Sequence, residues 1–157
     1  MVSRWMANDL DYPVLIVTAA AEGTHGGCLV GFATQCSVHP LRHIVFISKK
    51  NRTHGIALSG GALCVHAVPS DRMDLAELFG GQTGDEVDKF DRVAWRQGPE
   101  GVRILVDCPK WFVGTILERL DTGDHTGFLL APVAGDSSEG RDLGFGTARS
   151  IAPGHEP

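Results

Sequence analysis

The sequence predicts a mainly β fold, with antiparallel strands arranged as a barrel or a sandwich. Seven short runs have the composition of β-strands and are separated by glycine-containing turns; they cover residues 14–20, 28–32, 43–48, 63–68, 102–106, 111–121 and 126–133. The connections at 22–27 and 121–125 carry the Gly and Asp residues that hairpin turns need, so antiparallel pairing is expected there. With 157 residues, of which 43% are hydrophobic, the chain can bury one compact core.

The first run imitates part of a secretory signal, because small residues follow it in the positions of an Ala-x-Ala cleavage site. However, Asp9 and Asp11 precede the run and Pro13 starts it, which is unusual for such a signal. We therefore interpret residues 14–20 as a first strand and expect a cytoplasmic protein.

Charge and cysteine content argue against several classes of function. The formal net charge is −5, and the 14 Lys and Arg residues are scattered, which argues against nucleic-acid binding. The longest apolar stretches, residues 14–21 and 28–34, are far shorter than the ~20 residues that a membrane-spanning helix requires. The four cysteines form no Cys-x-x-Cys pair and lie mostly in apolar runs, as reduced core thiols do, and no His-Glu-x-x-His or comparable set predicts a metal.

Two short helices are predicted between the strands. Residues 53–58 begin with Thr53, which can cap a helix, and end at a Ser-Gly-Gly break. Residues 71–79 carry apolar side chains along one side and end at Gly80-Gly81. The second helix should cover an open side or end of the barrel.

The last part of the chain contains an unusual strand and a change of composition. Residues 111–121 are largely apolar on both alternating faces, so one face should fill the barrel and the other pack under a helix or against a second subunit. After Ala134 the sequence turns to Gly, Ser, Asp, Arg and Pro. We therefore expect a domain of residues 1–134 and a tail, 135–157, that is mobile or ordered only by a partner.

Residues 30–40 form the first candidate binding segment. They leave a strand and pass through small or hydrogen-bonding residues before Pro40. Small side chains let a backbone approach a ligand closely, so these amides and the Thr34 hydroxyl could face a flat polar heterocycle. The alternative is an ordinary connection between strands, which the residues alone favour.

The second candidate is the cationic segment from Lys49 to His54, at the start of the first predicted helix. Two Lys, one Arg, a Thr hydroxyl and free helix amides together suit a phosphate group. A solvated run of charges is the alternative, and the residues support the two interpretations about equally.

The third candidate is the turn Gly123-Asp124-His125 between the last two strands. It should project an imidazole, with a carboxylate beside it, from the rim of the barrel. A solvent-exposed turn residue is again the alternative. Motifs for other chemistries are missing: the sequence has no Gly-x-Ser-x-Gly elbow, no Walker phosphate loop and no Gly-x-Gly-x-x-Gly turn.

Many short motifs are weak individually, but their order along the chain is the most specific indication of a family in this sequence. These motifs are the first strand, the turn 31–37, Pro40-Leu41, Asn51-Arg52-Thr53, the break 59–61, the strand 63–68, residues 75–79, Asp88-Lys89-Phe90, Cys108, Glu118 and Gly123-Asp124-His125-Thr126. Over residues 12–133 this order resembles the flavin reductase family of FMN-binding split barrels. The chain departs from the family at Cys36, usually Ser or Thr, at Val38-His39-Pro40, commonly Asp-Pro-Pro, and at His66, often Asn. The usual helical lead-in before the first strand is also nearly absent.

The resemblance implies an antiparallel Greek-key split barrel with short helices, forming a homodimer that binds FMN or FAD near the subunit interface. It also implies NADH or NADPH as hydride donor and, in many cases, a separate monooxygenase that receives the reduced flavin. The matching positions are Gly31, Ala33, Thr34, Gln35 and Cys36 for the flavin ring and ribityl chain, and Ser48, Lys49, Arg52 and Thr53 for the ribityl chain and phosphate. His125 matches the family's histidine at the face shared by flavin and nicotinamide, with Asp124 beside it.

Hydride transfer between two cofactors requires neither a protein nucleophile nor a strong base. We therefore assign His125 a positioning and charge-tuning role. Two other interpretations stay open: a non-catalytic barrel that binds flavin or another small ligand, and a related split-barrel oxidoreductase with a different substrate.

Overall fold

The computed structural model describes residues 4–81, 88–149 and 151, and these residues form a mainly β structure, as predicted. The strands are β1 (Leu15–Ala21), β2 (Thr24–Val30), β3 (Ala33–Ser37), β4 (Arg42–Ser48), β5 (Ala62–Ala67), β6 (Trp95–Gln97), β7 (Arg103–Leu105), β8 (Trp111–Asp121) and β9 (His125–Asp136). The helices are α1 (Trp5–Asn8), α2 (Arg52–Ser59), α3 (Met73–Gly81) and α4 (Phe145–Ala148), with 3-10 turns at Lys89–Arg92 and Pro99–Gly101. Within these ranges no helix is long and apolar enough to cross a membrane.

Seven strands form one antiparallel sheet in the order β2-β1-β5-β8-β9-β4-β3, and β6 pairs with β7 in a separate ribbon. The two predicted hairpins are confirmed, since β1 pairs with β2 and β8 with β9. Their turns use left-handed backbone, with φ of 80° at Gly23 and 134° at Gly123, which glycine adopts without steric cost.

The sheet curls around one core and carries a second core on its outside. Residues from both halves of the sheet, including Val17, Leu63 and Phe128, are completely buried together in the first core. The second core lies beneath α3, where Phe79 packs with Ile16 and Leu105. The helix predicted at 71–79 therefore covers the barrel as expected, although it begins at Met73.

Helix α2 is fixed at both ends and along its side. Its cap is Asn51, whose side chain accepts a hydrogen bond from the Thr53 N–H at 2.9 Å; the sequence had suggested Thr53 as the capping residue. At the other end, Arg119 Nη2 donates to the Gly60 carbonyl at 2.6 Å. His54 Nε2 lies 2.7 Å from Thr126 Oγ1, which ties the helix to the start of β9.

Strand β8 has the predicted bounds and an asymmetric environment. Val113 and Gly114 are buried against the core, and a Cβ on Gly114 would lie 2.7 Å from Leu130 Cβ. Leu117 and Leu120 are 46% and 57% exposed, so the strand is covered on both faces only near Val113 and Gly114, and its C-terminal half lies open in the single chain.

The sequence missed two strands. β3 lies in the segment interpreted as a connection, and it is an edge strand whose one partner among the described residues is β4. Three of its five residues are exposed, so it has no apolar alternation to reveal it. β6 is a three-residue strand that is exposed throughout.

The expected tail requires a correction. Strand β9 continues to Asp136, and Leu143 and Ala148 are buried in the second core. The Leu143 N–H donates to the Val68 carbonyl at 2.7 Å, and the Leu143 carbonyl accepts from the Val14 N–H at 3.1 Å. Residues 135–149 therefore pack on the barrel of their own chain through a few well-placed apolar residues that have no periodicity. Residues 150 and 152–157 of the expected tail lie outside the described residues.

Candidate active site

A cavity of about 460 Å³ lies where β2 and β4 end, beside the turn before β9. Its walls are mostly apolar and include Leu29, Phe46 and Phe79, and its polar groups include Ser48 and His125. This size and composition are typical of sites that bind small molecules or cofactors. We call this space the ring cavity.

Aromatic side chains form one wall of the ring cavity. Phe145, from α4, stacks on Tyr12 with ring centroids 4.9 Å apart, and its ring also lies 6.3 Å from that of Phe32. A Cβ on Gly31 would lie only 2.7 Å from Phe145 Cε2, so the glycine allows the aromatic ring to lie against the backbone. The segment after β2 and the C-terminal part of the chain thus build this wall together.

His125 lies at the rim of the ring cavity and is held on two sides. Its Nδ1 is 2.7 Å from Asp124 Oδ1, and its ring centroid is 5.1 Å from that of Phe32. The hydrogen bond from His125 holds the pKa of the exposed Asp124 carboxyl below its usual value. Because Nδ1 is engaged with Asp124, Nε2 is the ring nitrogen that can meet a bound molecule.

The backbone around His125 is fixed by the neighbouring strand and by the turn itself. The Lys49 N–H donates to the Asp124 carbonyl at 2.9 Å, and the Thr122 hydroxyl donates to the His125 carbonyl at 2.9 Å. The end of β4 and the turn before β9 therefore position the imidazole as one unit.

A second cavity, of about 310 Å³, lies on the other side of the start of α2. Its lining is polar and includes His25, Arg52, Lys89 and Arg103, together with glycines from the start of β2. Arg52 Nη1 donates to the His25 carbonyl at 2.9 Å. We call this space the polar cavity.

The structure brings some of the predicted site residues together and separates others. Gly31, Ser48 and His125 line the ring cavity, whereas Arg52 and Thr53 line the polar cavity. The start of α2 thus separates Gly31 and Ser48 from Arg52 and Thr53.

The other predicted residues line neither of these two cavities. Ala33, Thr34, Gln35 and Cys36 lie on edge strand β3, and the last three are exposed. Their side-chain bonds are local, with the Thr34 hydroxyl donating to the Gln35 carbonyl at 3.1 Å. Lys49 forms an ion pair with Asp121 at 2.7 Å and has its ammonium at the turn before β9.

Several lining residues were not predicted. Phe145 and Arg149 line the ring cavity but belong to the segment that was expected to form a tail. Lys89 and Arg103 line the polar cavity, and only the Asp88-Lys89-Phe90 motif drew attention to that region. Lysine side chains are normally exposed in proteins, so the sequence alone does not reveal that Lys89 is buried.

The curled antiparallel sheet and the cofactor-sized cavity at its rim define a β-barrel protein with a site for a small molecule. A family model described as "Flavin reductase like domain" matches residues 6–150, so the chain belongs to that family. The resemblance stated from the sequence is confirmed.

Individual relatives agree with this assignment. The chain is 26% identical over 122 residues to the ferric-chelate reductase (NAD(P)H) of Archaeoglobus fulgidus, covering 76% of this chain and 72% of the relative. An FMN-binding protein from Thermus thermophilus superposes with a TM-score of 0.74 at 29% identity, over 80% of this chain and 70% of the other. A Rhizobium meliloti protein named "Probable flavin reductase" is 26% identical over 89% of this chain, but the match spans only 44% of that protein.

Proposed function

We propose that this protein is an NAD(P)H-dependent flavin reductase, which transfers hydride from a reduced nicotinamide to FMN or FAD. The observation that carries the proposal is the ring cavity itself, with aromatic walls on one side and His125 held by Asp124 at its rim. Family membership and a relative named as an NAD(P)H-dependent reductase support the same reaction class.

The residues present fit a flavin. The flat isoalloxazine ring requires apolar contact on its faces and a few hydrogen-bonding groups at its edge, and the ring cavity offers both. Gly31, Phe32 and Phe145 would contact the ring, while Ser48 would bind the ribityl chain. Arg52 and Thr53, at the start of α2, would hold the phosphate.

The flavin supplies the hydride-accepting chemistry when it is bound, and this chain supplies position and charge. His125 presents Nε2 to the cavity because Asp124 engages Nδ1. We assign it the task of orienting the nicotinamide and of placing a donor beside the ring where negative charge develops on reduction.

We also propose a homodimer, in which strand β3 of each subunit completes the site. Ala33 to Cys36 match the family's ring-lining segment but line neither cavity of the single chain, and β3 forms an open edge of the sheet. Exposed apolar side chains lie around this edge, with Phe32 47%, Val38 64% and Leu41 52% exposed. A sedimentation measurement that finds only monomer at working concentration would contradict the dimer.

Two further expectations belong to this proposal. The 4-hydroxyphenylacetate 3-monooxygenase reductase component of Pseudomonas aeruginosa is 26% identical over 124 residues, so we propose that this chain also delivers reduced flavin to a separate monooxygenase. We propose a cytoplasmic location, where reduced nicotinamide is supplied, and cell fractionation tests it.

The central experiment mixes purified protein with NADH or NADPH and with FMN or FAD, and follows the nicotinamide and flavin absorption bands. Rapid nicotinamide oxidation that depends on added flavin is the expected result. Bound flavin without turnover would instead indicate a non-catalytic binding barrel. A protein that retains flavin and is inert to both nicotinamides would indicate an oxidoreductase with another substrate.

A further inference from the structure

We infer that the hydrogen bond between His54 and Thr126 couples the two parts of the site, so that a flavin phosphate held at the start of α2 positions His125 and raises turnover. Both residues act through a neighbour, and we therefore regard them as positioning residues. The inference rests on the proposed function, because that function places the phosphate at Arg52 and Thr53.

His54 and Thr126 each lie directly beside a residue of the proposed site. His54 follows Thr53 in the first turn of α2, and Thr126 follows His125 at the start of β9. Neither His54 nor Thr126 lines the ring cavity or the polar cavity. Any influence of this pair on the reaction must therefore pass through the residues next to them.

The bond between the two side chains is short and buried. His54 Nε2 lies 2.7 Å from Thr126 Oγ1, and the two residues are 9% and 6% exposed. The His54 ring also meets the Phe128 ring edge to face, with centroids 6.2 Å apart and planes inclined by 73°. Separating the pair would leave two buried polar groups without a partner, so the bond resists small movements of either element.

The charge state of His54 allows the bond to persist at neutral pH. Burial lowers the pKa of His54, and the positive charges of Lys49 and His125 lower it further. A neutral imidazole has one donor and one acceptor, and a hydroxyl can be either, so the bond forms in both tautomers. His54 therefore joins the two elements without adding a charge beside the site.

Backbone contacts provide a second connection between the same two elements. The Asn51 N–H donates to the Ser48 carbonyl and the His54 N–H to the Asn51 carbonyl, each at 3.0 Å. Ser48 in turn lies opposite His125 in the pairing of β4 with β9. The start of α2 is thus joined to the His125 turn through Ser48 and through Thr126, and the Thr126 bond is the connection that a substitution can remove.

This arrangement predicts an effect of the flavin phosphate on turnover. A phosphate that accepts hydrogen bonds from Arg52 and from the amides of the first turn would fix this end of α2. His54 and Thr126 would pass that constraint to His125, whose other polar partner, Asp124, has a side chain that is 75% exposed. Binding energy from a part of the flavin that does not react would thereby orient the residue at the reacting rings.

The first test compares FMN with riboflavin, which has the same ring and no phosphate, each at saturating concentration with NADH or NADPH. We expect the wild-type kcat to be about tenfold higher with FMN, a change typical of one lost positioning contact. Thr126→Val keeps the side-chain shape without the hydroxyl and should lower the FMN value until the two differ by less than about twofold. Thr126→Ser keeps the hydroxyl and should restore the difference.

Thr18→Val is the matched control. Thr18 is completely buried, and its hydroxyl donates to the Arg103 carbonyl at 2.7 Å, a bond that involves neither α2 nor β9. This variant should lose stability and keep the ratio of the two kcat values.

His54→Leu is an independent variant, and thermal unfolding establishes that every variant is folded before rates are measured. The double variant His54→Leu with Thr126→Val should have the kcat of either single variant, because the same bond is lost in all three.

The second test requires no turnover. NMR signals of the His125 ring are recorded with riboflavin bound and with FMN bound, without a donor, and His125→Ala assigns them. The two complexes should give different His125 signals in the wild type and in Thr18→Val, and the same signals in Thr126→Val.

The inference is overturned if the wild-type kcat is equal for FMN and riboflavin, or if Thr126→Val lowers both values by the same factor. It is also overturned if the His125 signals differ as much in Thr126→Val as in the wild type. Failure of the proposed function has a different appearance, since neither flavin would then support nicotinamide oxidation while the NMR comparison still reports whether the phosphate affects His125. A protein that binds neither flavin would overturn both.

Discussion

The two cavities beside the start of α2 differ in chemistry although neighbouring residues line them. The ring cavity has walls of Leu29, Phe46, Phe79 and Phe145, whereas the polar cavity has His25 and three cationic side chains. On β2 the change falls between Gly27 and Cys28, because residues 24–27 line the polar cavity and residues 28–30 line the ring cavity. The comparison indicates that recognition of a charge and orientation of a ring are divided between the first and the second half of one strand.

The largest expected effect comes from His125→Ala in the ring cavity. We expect turnover to fall about 100-fold, because a group that contacts the reacting cofactors is removed. Flavin affinity should change less than about threefold, because the aromatic walls remain. Steady-state rates and flavin fluorescence titration measure the two quantities separately.

His25→Ala is the matched variant in the polar cavity, and it should affect binding more than turnover. Phosphate affinity should fall while turnover at saturating cofactor is retained. Equal loss of turnover and flavin affinity in His125→Ala, or loss of neither, would contradict the positioning role of this residue.

Predictions from the sequence were correct where residues that are close in sequence are also neighbours in the structure. The hairpin at 121–125 and the long strand β8 carry strong local signals, and both lie where predicted. Of the polar cavity only Arg52 and Thr53 were predicted, because its other parts are far apart in sequence: Arg103 and His25 come together through the packing of both against Phe90. Likewise Phe145 lies in a segment without apolar periodicity, and its place in the ring cavity follows from its contacts with Gly31 and Phe32 in the structure.

The titration of His66 offers a second, pH-dependent test of the difference between the two cavities. It is fully buried in β5, with Nδ1 donating to the Ile16 carbonyl and Nε2 accepting from the Leu105 N–H, each at 2.9 Å. Burial lowers the pKa of His66 from 6.5 to about 4. The native state therefore binds fewer protons than the unfolded state between these values, so the free energy of unfolding should fall as pH decreases, by about 3 kcal/mol at pH 4.

Protonation of His66 removes the acceptor for Leu105 on β7, the strand that also carries Arg103. The polar cavity should therefore lose phosphate affinity at a higher pH than the ring cavity loses flavin. Denaturant unfolding and both binding titrations are measured from pH 7 to pH 4. His66→Asn keeps a donor and an acceptor but cannot titrate, so an equally steep loss of stability in that variant would assign the acid sensitivity elsewhere.

Gly31→Val tests the ring cavity alone and should have a smaller effect. A Cβ at this position would lie 2.7 Å from the Phe145 ring, so this part of the cavity wall must shift. We expect the Kd for both FMN and riboflavin to rise about tenfold, with pyrophosphate binding unchanged. Gly55→Ala is the control, because a Cβ there meets nothing within 4 Å. A larger loss for FMN than for riboflavin would show that the two cavities are coupled.

The smallest effect is expected from Asp121→Asn, which tests whether Lys49 takes part in phosphate binding. Lys49 and Asp121 lie 2.7 Å apart, but their side chains are 38% and 76% exposed, and exposed ion pairs contribute little. The Gly123 N–H donates to Asp121 Oδ1 at 3.1 Å, a bond that an asparagine oxygen retains, so the turn before β9 should stay in place. We therefore expect turnover and FMN affinity to change less than about twofold, with the difference vanishing at high salt. An FMN affinity that rises about tenfold would mean that the released Lys49 reaches the phosphate, which would move phosphate recognition from the polar cavity to the end of β4.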